Sequence, residues 1–177
     1  TYTIQYELEI PNPRCWKPDR PELYTLCVRS MGDSYQQRFG LRDLCAQGTD
    51  IVLNGQAIYP RMALSWGWYA DVLHSNPGPE RIRAEFRMLK ALGYNGVKLC
   101  LWVPPAEYFE LADEMGMLLW LELPMWLPKP NRHFHEQLMP EYTAIVRQTC
   151  DHPSLIMYSL GCELNKLIGP ELLEPLY

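Results

Sequence analysis

The sequence predicts an α/β fold: a short antiparallel region followed by a parallel sheet whose strands alternate with helices. Three observations carry this. From about Asp50 onward, short apolar runs alternate with segments whose apolar residues recur every three or four positions. Before residue 46 the period is two instead, interrupted by prolines. The composition is that of a globular protein, with 47% hydrophobic and 21% charged residues in 177.

Tyr2–Ile10 alternates polar and apolar residues, the pattern of a strand with one buried face. Pro11 to Pro21 contains four prolines, which lack the amide donor of a sheet ladder, and is a connection. Leu23–Arg29 alternates again, Gly32-Asp33 signals a turn, and Tyr35–Arg42 returns as a further strand. These are the last strands of an antiparallel sandwich, too few to bury a core unaided.

The second region reads β-α-β-α-β-α-β. Ile51-Val52-Leu53 and Ala57-Ile58-Tyr59 flank Asn54-Gly55, a hairpin turn because both residues tolerate positive φ. Pro79–Leu92 carries Ile82, Phe86, Leu89 and Leu92 on one helical face, with Gly93 as its stop. Gly96–Val103 is a buried strand. Pro105–Met115 is a helix ended by Gly116, and Met117–Leu121 the next strand. Pro140–Cys150 is a third helix, ended by Asp151-His152-Pro153, and Leu155–Leu160 a fourth strand. Near-continuous apolar strands with helical crossovers imply a parallel sheet covered on both sides. An open doubly wound sheet and part of a (β/α)8 barrel both satisfy the pattern.

Several function classes are disfavoured. A net charge of −5 supplies no basic face for nucleic acid. No apolar run approaches the roughly 20 residues of a membrane span. No G-x-G-x-x-G or phosphate-loop pattern follows a strand. The six cysteines form no C-x-x-C pair, no histidine stands at zinc-type spacing from two of them, and they read as buried free thiols, with no metal expected. The chain opens on Thr1 with neither Met nor a signal-type core, which reads as a segment of something longer.

Ligands of parallel α/β sheets meet the carboxyl ends of the strands. Read in that way, Arg61, Ser65, Trp66, Trp68 and Tyr69 follow the first strand and Trp102 the second. Glu122 and Trp126 follow the third, and Gly161-Cys162-Glu163 the fourth. Indoles stack on sugar faces and carboxylates bond hydroxyls and exchange protons, so this set suits a carbohydrate site. A carboxyl desolvated among indoles has a raised pKa, as a general acid needs. The plainer roles are an ion pair of Glu122 with Lys98 or Arg61, core packing for the indoles, and a solvated Asp113-Glu114 pair.

The same residues resemble glycoside hydrolase family 2 along nearly the whole chain. Trp16–Leu26 is similar to its "W-x-P-x-x-P-x-L-Y-x-L" segment, and Phe39-Gly40-Leu41-Arg42 to the "G-F-R" that leaves its sandwich domain. Leu53–Ile58 resembles the "L-N-G-K-P-I" hairpin, Met88–Lys98 "M-K-x-x-G-x-N-x-V-R", and Ala112–Leu118 "C-D-E-x-G-I-L". His152–Glu163 resembles "H-P-S-I-I-x-W-S-L-G-N-E". The resemblance implies that residues 1–45 are the closing strands of an immunoglobulin-like β-sandwich. It implies that residues 46–177 are the first half of a (β/α)8 TIM barrel. The implied activity is hydrolysis of terminal β-linked sugars with retention, without a cofactor, with Glu163 as acid/base. Arg61, Lys98, Trp102, Glu122, Trp126 and Cys162 are the implied substrate contacts.

Departures from the family pattern bear on activity. Cys162 stands where the family has the Asn that bonds the sugar 2-hydroxyl, an interaction worth several kcal/mol in the transition state. Lys98 replaces an Arg and cannot form a bidentate fork, and Met62 follows Arg61 where Gly is usual. These favour, as the rival reading, a carbohydrate-binding or scaffolding descendant without catalysis. The family's nucleophile lies on the seventh barrel strand, so it is expected beyond residue 177. The half barrel is expected to be covered by the rest of a parent chain or by another protomer.

Overall fold

A computed structural model describes residues 5–164 and 168–176. Its elements form a two-stranded, a three-stranded and a four-stranded sheet, the last flanked by helices.

The first hairpin pairs β1 (Tyr24–Ser30) with β2 (Asp33–Phe39), turning at Met31-Gly32 as the period-two pattern predicts. Most of its residues are exposed, and Tyr24 stacks on Phe39 across the pair. The strand expected at Tyr2–Ile10 is not formed in its described part: residues 5–10 have no sheet partner and are mostly exposed, while 1–4 lie outside the described residues. Alternation supplies a face to bury, but a strand exists only against a neighbour. The Pro-rich connection is anchored by Trp16. Its ring is fully buried, its indole N–H donates to Asp113 O at 2.8 Å, and its backbone N–H donates to Leu41 O.

β3 (Leu44–Gln47), β4 (Asp50–Leu53) and β5 (Gln56–Ile58) form an antiparallel sheet, with Asn54 (φ 52°) and Gly55 (φ 75°) in its second turn. A division after residue 45 passes through β3, which pairs along its whole length with β4.

The parallel sheet consists of β6 (Met62–Ser65), β7 (Gly96–Leu99), β8 (Leu118–Glu122) and β9 (Leu155–Ser159) in sequential order. No reversal of order occurs among the four, so they contain no doubly wound switch point. The crossovers are α1 (Pro79–Ala91), α2 (Ala106–Met115) and α3 (Phe134–Thr149); α4 (Pro170–Leu173) follows β9. Gly93 and Gly116 take left-handed conformations just past α1 and α2, as expected of stops. α3 begins at Phe134, not Pro140; the proline forfeits a single amide bond near the helix's first turns. β7 ends at Leu99, short of Val103, because Leu101 turns to φ 53°.

Among the described residues, helices cover one face of this sheet, not two as the apolar strands suggested. Ile82 and Phe86 of α1, Tyr108, Phe109 and Ala112 of α2, and Phe134 and Tyr142 of α3 all join one core with Val97, Leu99, Leu119 and Leu121. The opposite face carries the alternate residues. At its amino end Leu53 and Ile58 of the three-stranded sheet pack with Trp16, Leu118 and Met62 as a second core. Above these lies a hollow of about 420 Å³ lined by Leu64, Lys98, Trp120 and Met157, among others.

Asp113 is buried, not solvated: its carboxylate takes the Ser154 amide at 3.0 Å and lies 2.6 Å from His152 Nδ1. Cys15 in the Pro-rich connection, Cys27 and Cys45 on strands of the small sheets and Cys150 at a helix end are exposed; only Cys100 is buried, and all six thiols are free.

Candidate active site

The candidate residues gather where β7, β8 and β9 end, with one exception. Arg61 precedes β6 instead of following the first parallel strand. Its Nε donates to Gly93 O at 2.8 Å and its backbone N–H to Asn95 Oδ1 at 2.6 Å, both at the amino end of the sheet. The expected placement counted the hairpin strand at Ala57-Ile58-Tyr59 as the first parallel strand, whereas it closes an antiparallel sheet. Arg61 is therefore at the opposite end from the other candidates.

Period-two alternation sends Lys98 of β7 and Cys100 just past it, Trp120 and Glu122 from β8, and Ser159 from β9 to the face on which no described helix packs. Glu122 is 3% exposed. Its Oε1 lies 2.7 Å from Lys98 Nζ, and its Oε2 accepts from the Cys100 thiol at 2.9 Å. Burial pushes the Glu122 pKa up, but hydrogen bonds from Cys100 and Lys98, and the Lys98 charge, outweigh it and hold the group below its ordinary value. Burial, reinforced by the Glu122 hydrogen bond, pushes the Cys100 thiol up to about 12. Lys98 Nζ also stands 4.5 Å from the centre of the Trp120 ring, whose indole N–H donates to Ser159 Oγ at 3.1 Å.

Glu163 follows β9 at φ 48° and is exposed rather than enclosed by indoles. Its Oε2 accepts from Trp126 Nε1 at 2.7 Å. Trp126 and Cys162 form an isolated parallel bridge, and the Cys162 N–H donates to Met125 O at 2.8 Å. The loop after β8 thus carries the segment after β9. Gly161 is needed there: a Cβ would strike the backbone oxygen of Met125. From α3, the Tyr142 hydroxyl donates to Leu160 O at 2.8 Å and fixes the start of the same turn. Leu101, Leu127 and Glu163 all have positive φ, so three of the six such non-glycine residues among the described ones sit at this mouth. Each costs about 1–3 kcal/mol, a pattern of functional loops.

Trp126 is 60% exposed and offers its ring beside the Glu163 carboxylate. Trp102 is packed edge-on against Tyr69 and Tyr108, with the Gly67 backbone against its ring. Cys162 faces inward: its thiol, the Cys100 thiol and a Glu122 carboxylate oxygen lie within 4.8 Å of one another. Cys100, Trp120 and Ser159 escaped the sequence reading. Their signal was the alternation in Lys98-Leu99-Cys100 and Trp120-Leu121-Glu122, legible only once one face is known to lack helices.

Residues 1–42 match the family model described as glycosyl hydrolases family 2. A candidate β-glucuronidase of Formosa agariphila is 31% identical over 168 residues, covering 88% of this chain and 20% of that protein. A β-galactosidase of Bacteroides ovatus is 26% identical, covering 89% of this chain and 20% of that protein. A family-2 β-galacturonidase of Eisenbergiella tayi superposes with a TM-score of 0.87 at 23% identity, over 98% of this chain and 32% of that one. The chain spans about a fifth of the length of these two curated relatives.

Proposed function

We propose that this chain, a relative of the family-2 glycoside hydrolases, supplies the acid/base half of a retaining, exo-acting β-glycosidase. Residues up to Asp43 would be closing strands of an immunoglobulin-like sandwich. The rest would be the first wall of a (β/α)8 barrel, whose remaining strands and nucleophile lie outside these 177 residues. Sequential strand order and helices on one face only support the barrel reading.

The observation that carries the proposal is the Glu163 carboxylate. It stands past the carboxyl end of β9 beside an exposed indole, at the end of the Gly161-Cys162-Glu163 turn. In the first half-reaction Glu163 gives its proton to the glycosidic oxygen as the nucleophile takes the anomeric carbon. In the second it takes a proton from the water that releases the sugar. Trp126 serves as the stacking platform. Cys162, Trp102 and the Lys98–Glu122 pair would be further sugar contacts. The relatives' names span glucuronides, galactosides and galacturonides, so the substrate is a terminal β-linked hexoside or hexuronide.

The test is Glu163→Ala in the intact gene product, assayed on an aryl β-glycoside panel covering those three sugars. kcat for substrates with poor leaving groups falls by about 100- to 10,000-fold. Azide restores turnover of activated substrates as β-glycosyl azide. Unchanged turnover removes Glu163 from the mechanism. One feature favours a second reading as a sugar-binding descendant: Cys162 cannot supply the amide hydrogen bond to a 2-hydroxyl and turns to Glu122 instead. Binding of a sugar from the panel without hydrolysis by the wild type selects that reading.

A further inference from the structure

We propose that Cys100, Glu122 and Cys162 form a binding site for one thiophilic divalent cation of the zinc class on the inner face of the parallel sheet. The two thiol sulfurs and a carboxylate oxygen already lie within 4.8 Å of one another, the only such group among the described residues. Tetrahedral zinc bonds of about 2.3 Å to sulfur and 2.0–2.2 Å to oxygen place ligand atoms roughly 3.5–4 Å apart. A contraction of about an ångström would close the site.

The ligands are held by rigid parts. Cys100 follows β7, with its N–H on Ser65 O at 2.8 Å; Glu122 ends β8; and Cys162 is bridged to Trp126 after β9. Cys100 and Glu122 are 2% and 3% exposed, and Cys162 is half-buried, so solvent reaches the group from the Cys162 side.

Charge supports a divalent ion. Two thiolates, the Glu122 carboxylate and the Lys98 ammonium sum to −2, which the cation cancels. Lys98 holds Oε1 and orients the carboxylate, leaving Oε2, now bonded to the Cys100 thiol, for the metal. Binding releases the two thiol protons to solvent and forms two metal–sulfur bonds and one metal–oxygen bond. Two sulfur ligands select zinc-class ions over magnesium or calcium. Three protein ligands leave a fourth position for an exchangeable water. The assignment shares Cys162 and Glu122 with the proposed sugar pocket, but its test reads metal uptake and not glycosidase activity.

The test uses the reduced chain with Cys15, Cys27, Cys45 and Cys150 replaced by Ser, so that exposed thiols bind nothing. Zinc is titrated in competition with a chromogenic chelator, and cobalt(II) serves as the spectroscopic probe. The expected result is one zinc per chain, with cobalt giving a thiolate charge-transfer band and the intense visible bands of tetrahedral coordination. Magnesium and calcium do not compete. Cys100→Ser and Cys162→Ser each weaken uptake by about 100-fold or more. Because Cys100→Ser changes a buried position, Cys162→Asn serves as a second variant, with circular dichroism confirming that each is folded. The proposal is overturned by any of three results: no zinc uptake by the reduced folded chain, uptake unchanged in both cysteine variants, or a Cys100–Cys162 disulfide with no metal in freshly purified protein.

Discussion

Lys98 and Glu122 show what a single buried contact contributes. The pair is short, and its side chains are 22% and 4% exposed, so solvent screens it little. Removing one partner strands the other charge. Lys98→Met is expected to destabilise by about 3 kcal/mol, the lower end for a buried pair because Lys98 keeps some solvent. The folded-state pKa of Glu122 is depressed, so the unfolded chain takes up its proton first as the pH falls. The stabilisation is complete above the ordinary carboxylate value and is lost as pH falls through the folded-state value. Urea unfolding of wild type and Glu122→Gln, compared at pH 6.5 and at about pH 3, should show the difference shrink on acidification. A difference that grows would contradict the assignment. The pairing itself was legible in the sequence as the plainer role of Glu122. Its third member, Cys100, was not, because the three groups come from three successive strand ends and share no local spacing in the sequence.

At the scale of elements, turns were the most legible feature and strand neighbours the least. Asn54-Gly55, Gly93 and Gly116 each announce a positive φ that few other residues accept, and each occurs where expected. Arg61 was misplaced because apolar runs do not state whether a neighbouring strand is parallel or antiparallel. Residues 5–10 were misread because a period of two does not supply a partner. The turn after β9 is a more demanding case. Gly161 is pressed against Met125 O, and Tyr142 holds Leu160 O from α3. Gly161→Ala is expected to destabilise by about 1–3 kcal/mol through this overlap. Tyr142→Phe should cost about 1 kcal/mol for one hydrogen bond. Thermal unfolding measures both. If the turn positions Glu163, each variant also lowers activity of the intact gene product more than its stability loss at assay temperature explains; a stability loss alone confines these residues to folding.

At the scale of the whole molecule, a one-sided helical layer decides what the sheet can do. Helices on one face leave the alternate strand residues free to build a polar interior, here Lys98, Cys100, Trp120, Glu122 and Ser159. A flat sheet covered on both faces would have required apolar residues at those positions. That interior holds a carboxylate, but not one placed to serve as the nucleophile of the proposed retaining reaction. The reaction needs a second carboxylate about 5–5.5 Å from the acid/base, free to attack the anomeric carbon. Both oxygens of Glu122 are engaged, one by Lys98 and one by Cys100, and the group is buried behind them. No helix among the described residues is long and apolar enough to cross a membrane. These 177 residues by themselves are therefore expected to release no aryl leaving group from β-glucuronides, β-galactosides or β-galacturonides, even at high protein concentration. Release by the purified 177-residue chain that disappears on Glu163→Gln would mean that the nucleophile is within it. Glu122→Gln would then identify whether the buried carboxylate leaves its ion pair to attack.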